Sequence, residues 1–336
     1  MKKPNVSTNT TKAPAKKDKR RATHKKKYKV RNWKEYNESL VNRGSLDFWI
    51  EQGIAEVWQD KDHIVIRKKR GAQRQYSDQA IGLCRLVGKV FHQRLRQTEG
   101  FMRSIFIQSR IQLEVPNYST LCRRGVKLTV KIPRQQKERV VAILDSTGLK
   151  VYGEGEWKVR KHGYSKHRQW MKAHVSIDRD GEIRAVRLTD NSVDDAAVAE
   201  ELLNDQKADT IEQVAGDGAY DKRSVYQACK KHTVDRILIP PRKGARIWTH
   251  GNSRGEKHPR DGNLRAIRRT TRRRWKQDSG YHIRSKVEAT MFRKKTIFGE
   301  KFFSRSIENQ KTELAIMVKA LNLMLYNGMP ESYAVS

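Results

Sequence analysis

The sequence has few cysteines, no long apolar run and far fewer acidic than basic residues, and each shortage excludes a class of protein. Its three cysteines, Cys84, Cys122 and Cys229, are isolated and show no C-x2-C spacing, which argues against a disulfide scaffold and a structural zinc site. No stretch reaches the roughly 18 consecutive apolar residues that a membrane-spanning helix needs. The Lys-rich amino-terminal segment lacks the apolar core of a secretory signal. The composition therefore predicts a cytoplasmic protein with no membrane partner.

Basic residues exceed acidic ones by a wide margin, 72 Lys and Arg against 37 Asp and Glu, for a formal net charge of +35. The excess is concentrated in two segments: residues 1–31 carry 13 basic and one acidic side chain, and residues 242–276 carry 13 basic and two acidic. Charge of this density predicts a polyanionic partner, with nucleic acid favoured over a surface that is charged for solubility alone.

The first 130 residues divide into a tail and a helical region. Residues 1–28 contain almost nothing to bury and predict a disordered basic tail. Residues 30–130 predict a mainly helical region, in which Ser77 caps one helix, a second helix follows, and a turn at 115–117 leads to a short helix ended by Gly125. Arg123 and Arg124 would lie on the exposed face of that short helix. This order is compatible with a helix-turn-helix DNA reader and equally with an ordinary helical hairpin.

Residues 135–330 follow a different pattern, in which apolar runs of strand length alternate with helices. The predicted order is three strands, a helix, a strand, a helix, a strand and two helices, with a basic insertion at about 242–278. That order predicts an α/β fold with a ribonuclease-H-like mixed sheet, in which the first and fourth strands lie side by side. The mainly helical DNA-binding domain would precede this catalytic domain.

Three carboxylates stand out in this region. Asp145 follows the apolar run Val-Val-Ala-Ile-Leu, and Asp217 follows Val-Ala-Gly. Glu288 belongs to a Y-x2-R-x3-E-x6-K series with Tyr281, Arg284 and Lys295. We expect all four in one helical stretch, where they would lie within roughly 60° of one another on the surface. Two strand-end aspartates and a helical glutamate form the constellation that holds two divalent metal ions for phosphodiester chemistry.

Each of these residues has a simpler interpretation when taken alone. An Asp after an apolar run is often a turn residue, Asp-Gly is a common turn dipeptide, and Arg284 with Glu288 could be an ordinary surface pair across one helical turn. A further basic run, with Lys158, Arg160, Lys161 and Arg168, could grip phosphates or form a solvated hairpin. The ordered set of carboxylates, with its four-residue signature, favours the metal-dependent interpretation.

Together these motifs resemble those of the DDE transposases of bacterial insertion sequences. The Tyr281, Arg284, Glu288 and Lys295 signature is typical of the group that contains the insertion-sequence-four and insertion-sequence-five families, and residues 32–50 are similar to the start of members of the latter. The resemblance implies that Asp145, Asp217 and Glu288 bind two Mg²⁺ ions, for which Mn²⁺ can substitute. It implies that Tyr281, Arg284 and Lys295 position DNA near the scissile phosphate.

The predicted activity follows from this resemblance. The protein would bind the terminal inverted repeats of its element, hydrolyse the phosphodiester at each 3′ end, and join the freed 3′-hydroxyls to target DNA. Two double-stranded ends handled together imply a dimer or a larger synaptic complex, associated with the bacterial nucleoid. Two alternatives remain open: a metal-dependent nuclease of the same fold, and a catalytically inactive DNA-binding protein derived from a transposase.

Overall fold

The computed structural model describes residues 27–60, 75–151, 170–206, 210–249 and 258–335. Its strands, in chain order, are β1 (Lys27–Val30), β2 (Arg139–Lys150), β3 (Trp170–Ile177), β4 (Ile183–Asp190), β5 (Thr210–Ala215), β6 (Arg236–Leu238) and β7 (Ser332–Val335). Its helices are α1 (Trp33–Asn42), α2 (Leu46–Trp49), α3 (Asp78–Val90), α4 (Leu95–Gln108), α5 (Tyr118–Gly125), α6 (Ala199–Asn204), α7 (Arg223–Lys231), α8 (Pro259–Arg269), α9 (Arg272–Asp278), α10 (Ser285–Phe298) and α11 (Ile307–Tyr326).

Five strands form one mixed sheet in the order β4-β3-β2-β5-β6. The pairs β4-β3 and β3-β2 are antiparallel, whereas β2-β5 and β5-β6 are parallel. The first and fourth strands of the predicted series, β2 and β5, are therefore neighbours, as the sequence pattern predicts. This mixed α/β arrangement confirms the ribonuclease-H-like fold.

Both faces of the sheet are buried, and β2 shows this most clearly. Val141 and Ile143 point into one apolar core, which also contains side chains of α3, α10 and α11. Val140, Ala142 and Leu144 alternate with them and point into a second core under α6 and α7. Because consecutive side chains of a strand point to opposite faces, a strand covered on both faces reads as a continuous apolar run.

The helical region packs directly on the sheet's helices and shares the first of these cores. Ser77 caps α3 as predicted, since its hydroxyl accepts a hydrogen bond from the Ala80 amide at 3.1 Å. Helix α3 lies against α11, where the buried Lys89 and Glu313 side chains form an ion pair at 2.6 Å. The Thr312 hydroxyl of α11 also donates to the Gly125 carbonyl at the end of α5, at 2.7 Å.

Two features of the described residues lie outside the predicted pattern. Strand β1 pairs antiparallel with β7, so Lys27 and Tyr28, the last residues of the predicted tail, are in a strand, while residues 1–26 lie outside the described residues. The basic insertion contains helices α8 and α9, which the sequence pattern does not predict. In the part of the chain that the structure describes, no helix is long and apolar enough to cross a membrane.

Candidate active site

The register of the sheet brings Asp145 and Asp217 side by side. In the parallel pair of β2 and β5, Ile143 lies opposite Ala215. Asp145 comes two residues after Ile143, and Asp217 comes two residues after Ala215. The two aspartates therefore lie level with each other and emerge on the same face of the sheet. The sequence therefore predicts their adjacency once the two strands are known to be neighbours.

Strand β2 does not end at Asp145, as the apolar run suggests. It continues to Lys150 and stays paired with β3, but its pairing with β5 stops at Ile143. Asp145 therefore lies at the point where β2 loses its parallel neighbour. In α/β sheets the crevice outside the carboxyl ends of parallel strands is the usual place for a ligand site.

Asp217 is fixed by the tight turn that follows β5. Its Oδ1 atom accepts a hydrogen bond from the Ala219 amide at 2.8 Å and so caps the 3-10 turn Gly218–Tyr220. The turn folds the Tyr220 ring under the strand end so closely that a Cβ on Gly216 would lie 3.0 Å from it. Any side chain at 216 would therefore press on the Tyr220 ring, which glycine avoids.

Arg284 connects the sheet to the carboxyl-terminal helices. Its Nη2 atom lies 3.4 Å from Asp145 Oδ2, and its Nη1 atom donates to Glu288 Oε1 at 2.8 Å. Burial would lower the pKa of Arg284, but the charges of Asp145, Tyr281, Asp217 and Glu288 raise it overall. The guanidinium is therefore the cation shared by the sheet carboxylates and the helix carboxylate.

The surroundings of Asp145 disfavour its ionised form. Burial raises its pKa, and the nearby negative charge of Asp217 raises it further. Arg284 and a backbone hydrogen bond from Ser146 oppose this rise, which nevertheless persists. A carboxylate in this position is stabilised by any additional positive charge that enters the site.

Two stretches of the chain match protein-family profiles, both described as Transposase DDE domain. One match covers residues 136–323, more than half of the chain, and the other covers residues 41–154. The chain belongs to the DDE transposase family. The longer match spans the whole five-stranded sheet and α10, so it includes Asp145, Asp217 and Glu288. DDE transposases generally use divalent metal ions and act on DNA.

The four signature residues of the transposase lie in one unbroken helical stretch, as predicted, but not in a single α-helix. Tyr281 and Arg284 form a 3-10 turn, and α10 begins only at Ser285. Gly280 starts the turn with a left-handed backbone, φ 71°, which separates it from α9. The Tyr281 side chain is buried, and its hydroxyl donates to the Gly216 carbonyl at 3.2 Å, which ties the turn to the residue before Asp217.

Glu288 and Lys295 lie on α10 and face outward. The Glu288 side chain is 61% exposed, in contrast to 18% for Asp145. Lys295 lies 3.3 Å from Glu300 Oε1, beyond the end of the helix. The structure thus brings Asp145, Arg284 and Glu288 into contact and leaves Lys295 about two turns farther along the same helix.

The donor chemistry suits a hard divalent ion, because Asp145, Asp217 and Glu288 supply carboxylate oxygens alone. The pKa of Asp145 is raised mainly by burial and further by the charge of Asp217, so a cation bound between the two carboxylates would stabilise the ionised form. Within the described residues, however, no three His, Cys, Asp or Glu side chains are close enough to form a ready metal site. Glu288 is turned towards Arg284, so it would have to release that contact to join the aspartates.

The other predicted DNA contacts fall into three groups. Arg123 is exposed on the last turn of α5. Arg124 instead points inward, donating to the Tyr76 carbonyl and pairing with Asp78 at the start of α3. The four basic residues of the predicted phosphate-gripping run lie outside the described residues: Lys158, Arg160, Lys161 and Arg168.

Tyr220 is a residue of this region to which the sequence assigns no role. Its side chain is buried, and its hydroxyl has no hydrogen-bond partner among the described residues. Burial raises its pKa well above the usual value, and the charges of Asp195, Asp145 and Asp217 add to the effect. Its only sequence signal is its place in the Gly-Asp-Gly-Ala-Tyr motif, three residues after Asp217.

Proposed function

We propose that this transposase binds the terminal inverted repeats of its own element, cuts the phosphodiester at each 3′ end, and joins the freed 3′-hydroxyls to target DNA. The observation that carries the proposal is the contact of Arg284 with both Asp145 and Glu288, beside an Asp217 that the sheet register places level with Asp145. Membership of the DDE transposase family supports the same reaction class.

Asp145, Asp217 and Glu288 would hold the divalent ions, Mg²⁺ or Mn²⁺. Such ions, when bound in pairs, activate the attacking oxygen and stabilise the leaving oxygen of an in-line displacement at phosphorus. The chain's own contribution is positioning. The hydrogen bond from Tyr281 to Gly216 fixes the turn that carries Arg284, and that turn sets the start of α10 and hence the position of Glu288.

Arg284 and Lys295 supply positive charge but cannot themselves bind a metal ion, since neither side chain has an acceptor atom. Both are partly exposed and lie on the same side of the site as Glu288. We therefore assign them to the phosphates that flank the scissile bond. Tyr281 acts on DNA position indirectly, through the turn that its hydroxyl holds.

A basic surface leads into this site from α8 and α9. Its exposed arginines lie between 7 and 16 residues before Tyr281 and are Arg265, Arg268, Arg269, Arg273 and Arg274. Charge of this kind binds the DNA backbone through counterion release and is insensitive to sequence. We assign this surface, together with the basic tail, to the double helix outside the cut.

Strand transfer is the reaction that distinguishes this proposal from its alternatives. A labelled terminal fragment with a free 3′-hydroxyl is incubated with plasmid DNA and Mg²⁺. Covalent joining of the fragment to the plasmid supports a transposase, and cutting without joining identifies a nuclease. Binding without either reaction identifies an inactive DNA-binding protein. Short inverted repeats that bracket the coding frame supply the sequence of the fragment.

Both element ends must be processed together, so we propose that the active form is a dimer or a larger synaptic complex. Sedimentation of the protein with and without paired terminal fragments tests this. A monomer that joins both ends in one event would contradict it.

A further inference from the structure

Two arginine side chains from distant parts of the chain lie near each other. Arg43 directly follows α1, and Arg293 lies on α10. The positive charge of Arg43 is close enough to lower the pKa of Arg293, which burial lowers first. Both side chains are partly buried, yet neither forms an ion pair with a carboxylate of the described residues. Two neighbouring cations thus share a partly buried position without an opposite charge.

Each of these guanidinium groups also has a buried N–H without an acceptor. Arg43 Nε and Arg293 Nη2 are closed off from solvent, and neither has a hydrogen-bond partner in the part of the chain that the structure describes. Arg43 Nη2 does have one, the Gly328 carbonyl at 3.3 Å. A buried donor without a partner destabilises a fold, and a charged one does so more strongly. The pair therefore lacks both negative charge and acceptor atoms.

The backbone around Arg43 is held firmly, so the unpaired charge is a fixed feature of the fold. The Arg43 carbonyl accepts a hydrogen bond at 2.8 Å from the indole N–H of Trp49, a buried side chain. One turn earlier on α1, the Ser39 carbonyl accepts from the Asn327 side-chain amide at 2.8 Å. A long arginine side chain usually carries its charge out to water. Arg43 and Arg293 instead keep part of theirs inside.

The ligand that this arrangement fits is a phosphate group. A guanidinium presents its N–H groups as a planar fork, which matches the oxygens of a carboxylate or a phosphate. A carboxylate has two oxygens in one plane. A phosphate has more oxygens, arranged as a tetrahedron, so one phosphate can accept hydrogen bonds from two guanidinium groups that approach from different directions.

The arginine pair is separate from the candidate active site. Arg293 comes five residues after Glu288, which places it about 140° around α10 and about 7.5 Å farther along the axis. Glu288 contacts Arg284, which in turn contacts Asp145 on the sheet. Arg293 is instead near the end of α1. The two groups of charged residues therefore lie on different sides of one helix.

We propose that Arg43 and Arg293 bind one phosphate group, which joins the end of α1 to the helix that carries Glu288. Both side chains are partly exposed, so the phosphate reaches them from solvent. A small turn of each side chain brings its unpaired N–H to a phosphate oxygen. The phosphate supplies the missing negative charge and removes the repulsion between the two arginines. Its source is free phosphate or a backbone phosphate of DNA.

Thermal unfolding of the full chain tests the proposal without any need for catalysis. The melting temperature is measured in phosphate and in chloride at equal ionic strength. Phosphate should raise that of the wild type. Arg43→Met and Arg293→Met keep much of the side-chain volume, and each should weaken phosphate binding about 10-fold or more. The matched control is Arg103→Met/Arg179→Met, which removes two arginines that are paired with carboxylates at 2.5 and 2.8 Å and should respond as the wild type does.

A second arm identifies the source of the phosphate. The same proteins are titrated in chloride with a short DNA duplex of unrelated sequence. If the phosphate belongs to DNA, the duplex should stabilise the wild type more than Arg43→Met/Arg293→Met. The salt dependence of duplex binding should then fall by a slope of about 0.9 for the lost contact. If free phosphate is the ligand, the two proteins should bind the duplex alike and differ only in their response to phosphate.

One outcome would overturn the proposal: Arg43→Met/Arg293→Met that responds to both phosphate and duplex as the wild type does. Should that protein fail to fold, Arg293→Lys provides the same test, because lysine keeps the positive charge but lacks the planar fork. It should bind phosphate more weakly than the wild type. Undiminished phosphate binding by Arg293→Lys would show that positive charge alone attracts the anion and that the two arginines form no site.

Discussion

The aspartates on the sheet and the glutamate on α10 are held in different ways. Asp145 lies within β2, is mostly buried and has β3 paired alongside it, and Asp217 caps a tight turn through its own side chain. Glu288 is exposed on a helix, and the Arg284 side chain is its contact with the sheet carboxylates. The sheet and its turn thus hold the two aspartates in place, whereas the glutamate is held through its helix and its arginine.

The largest expected effect comes from removing any one of the three carboxylates. Asp145→Ala, Asp217→Ala and Glu288→Ala should each reduce Mg²⁺-dependent nicking of a labelled terminal fragment by more than about 10³-fold. End binding in a gel-shift assay should change little. Asp278→Ala, an exposed carboxylate on α9, serves as the control. A Glu288→Ala protein that nicks near the wild-type rate would mean that the sheet pair alone suffices.

Arg284 links Asp145 on the sheet to Glu288 on the helix, so its removal should have the next largest effect. Arg284→Ala should depress cleavage on the order of 10²-fold, because small displacements of the reacting phosphate are costly. Calorimetry should find metal affinity no weaker than in the wild type, since the arginine competes for the same carboxylates.

The matched control is Arg103→Ala on α4. Arg103 pairs with Glu99 across one helical turn at 2.5 Å, as Arg284 pairs with Glu288. An ordinary pair of this kind contributes only about 0.2–0.5 kcal/mol. If the Arg284→Ala and Arg103→Ala proteins both cleave DNA within a few-fold of the wild-type rate, Arg284 and Glu288 form only an ordinary surface pair.

Tyr281 tests whether the hydrogen bond between the sheet and the turn before α10 positions that helix. Tyr281→Phe removes the hydrogen bond to the Gly216 carbonyl and should lower the free energy of unfolding by about 1 kcal/mol. Cleavage should fall several-fold, because the turn before α10 loosens. Tyr333→Phe, on the exposed face of β7, should change neither quantity. Unchanged stability together with lost DNA affinity would show that the hydroxyl serves DNA and not the turn.

The smallest expected effect is on thermal stability, and it distinguishes the buried Asp145 from the exposed Glu288. Burial raises the pKa of Asp145, so its charge destabilises the folded protein at pH 7. Asp145→Asn should therefore raise the melting temperature at pH 7. This rise in melting temperature should shrink as the pH falls from the raised pKa of Asp145 towards the usual value of an aspartate. Over that range the wild-type carboxyl becomes neutral in the folded state before it does so in the unfolded state. Glu288→Gln, at an exposed position, should not raise the melting temperature comparably. An equal rise would show that the two carboxylates do not differ in this way.

The sequence predicts the sheet and its two aspartates because their signals are local. The apolar runs before Asp145 and Asp217 identify two strands, and the order of elements makes those strands neighbours. The helical stretch that carries the signature is predicted too, but its division into a 3-10 turn and α10 is not. Residues spaced three and four apart fit a single α-helix, and a 3-10 turn followed by an α-helix, equally well.

The ion pair of Lys89 and Glu313 joins positions 224 residues apart. Helix α3 emerges from the ribosome long before α11, and at about 5–20 residues per second the delay is on the order of ten seconds or more. During that interval Lys89 and the apolar face of α3 lack their partner. The helical region therefore reaches its final packing only after the sheet and the three carboxylates have been synthesised. The two stretches that match transposase profiles thus complete their packing in the same step of synthesis.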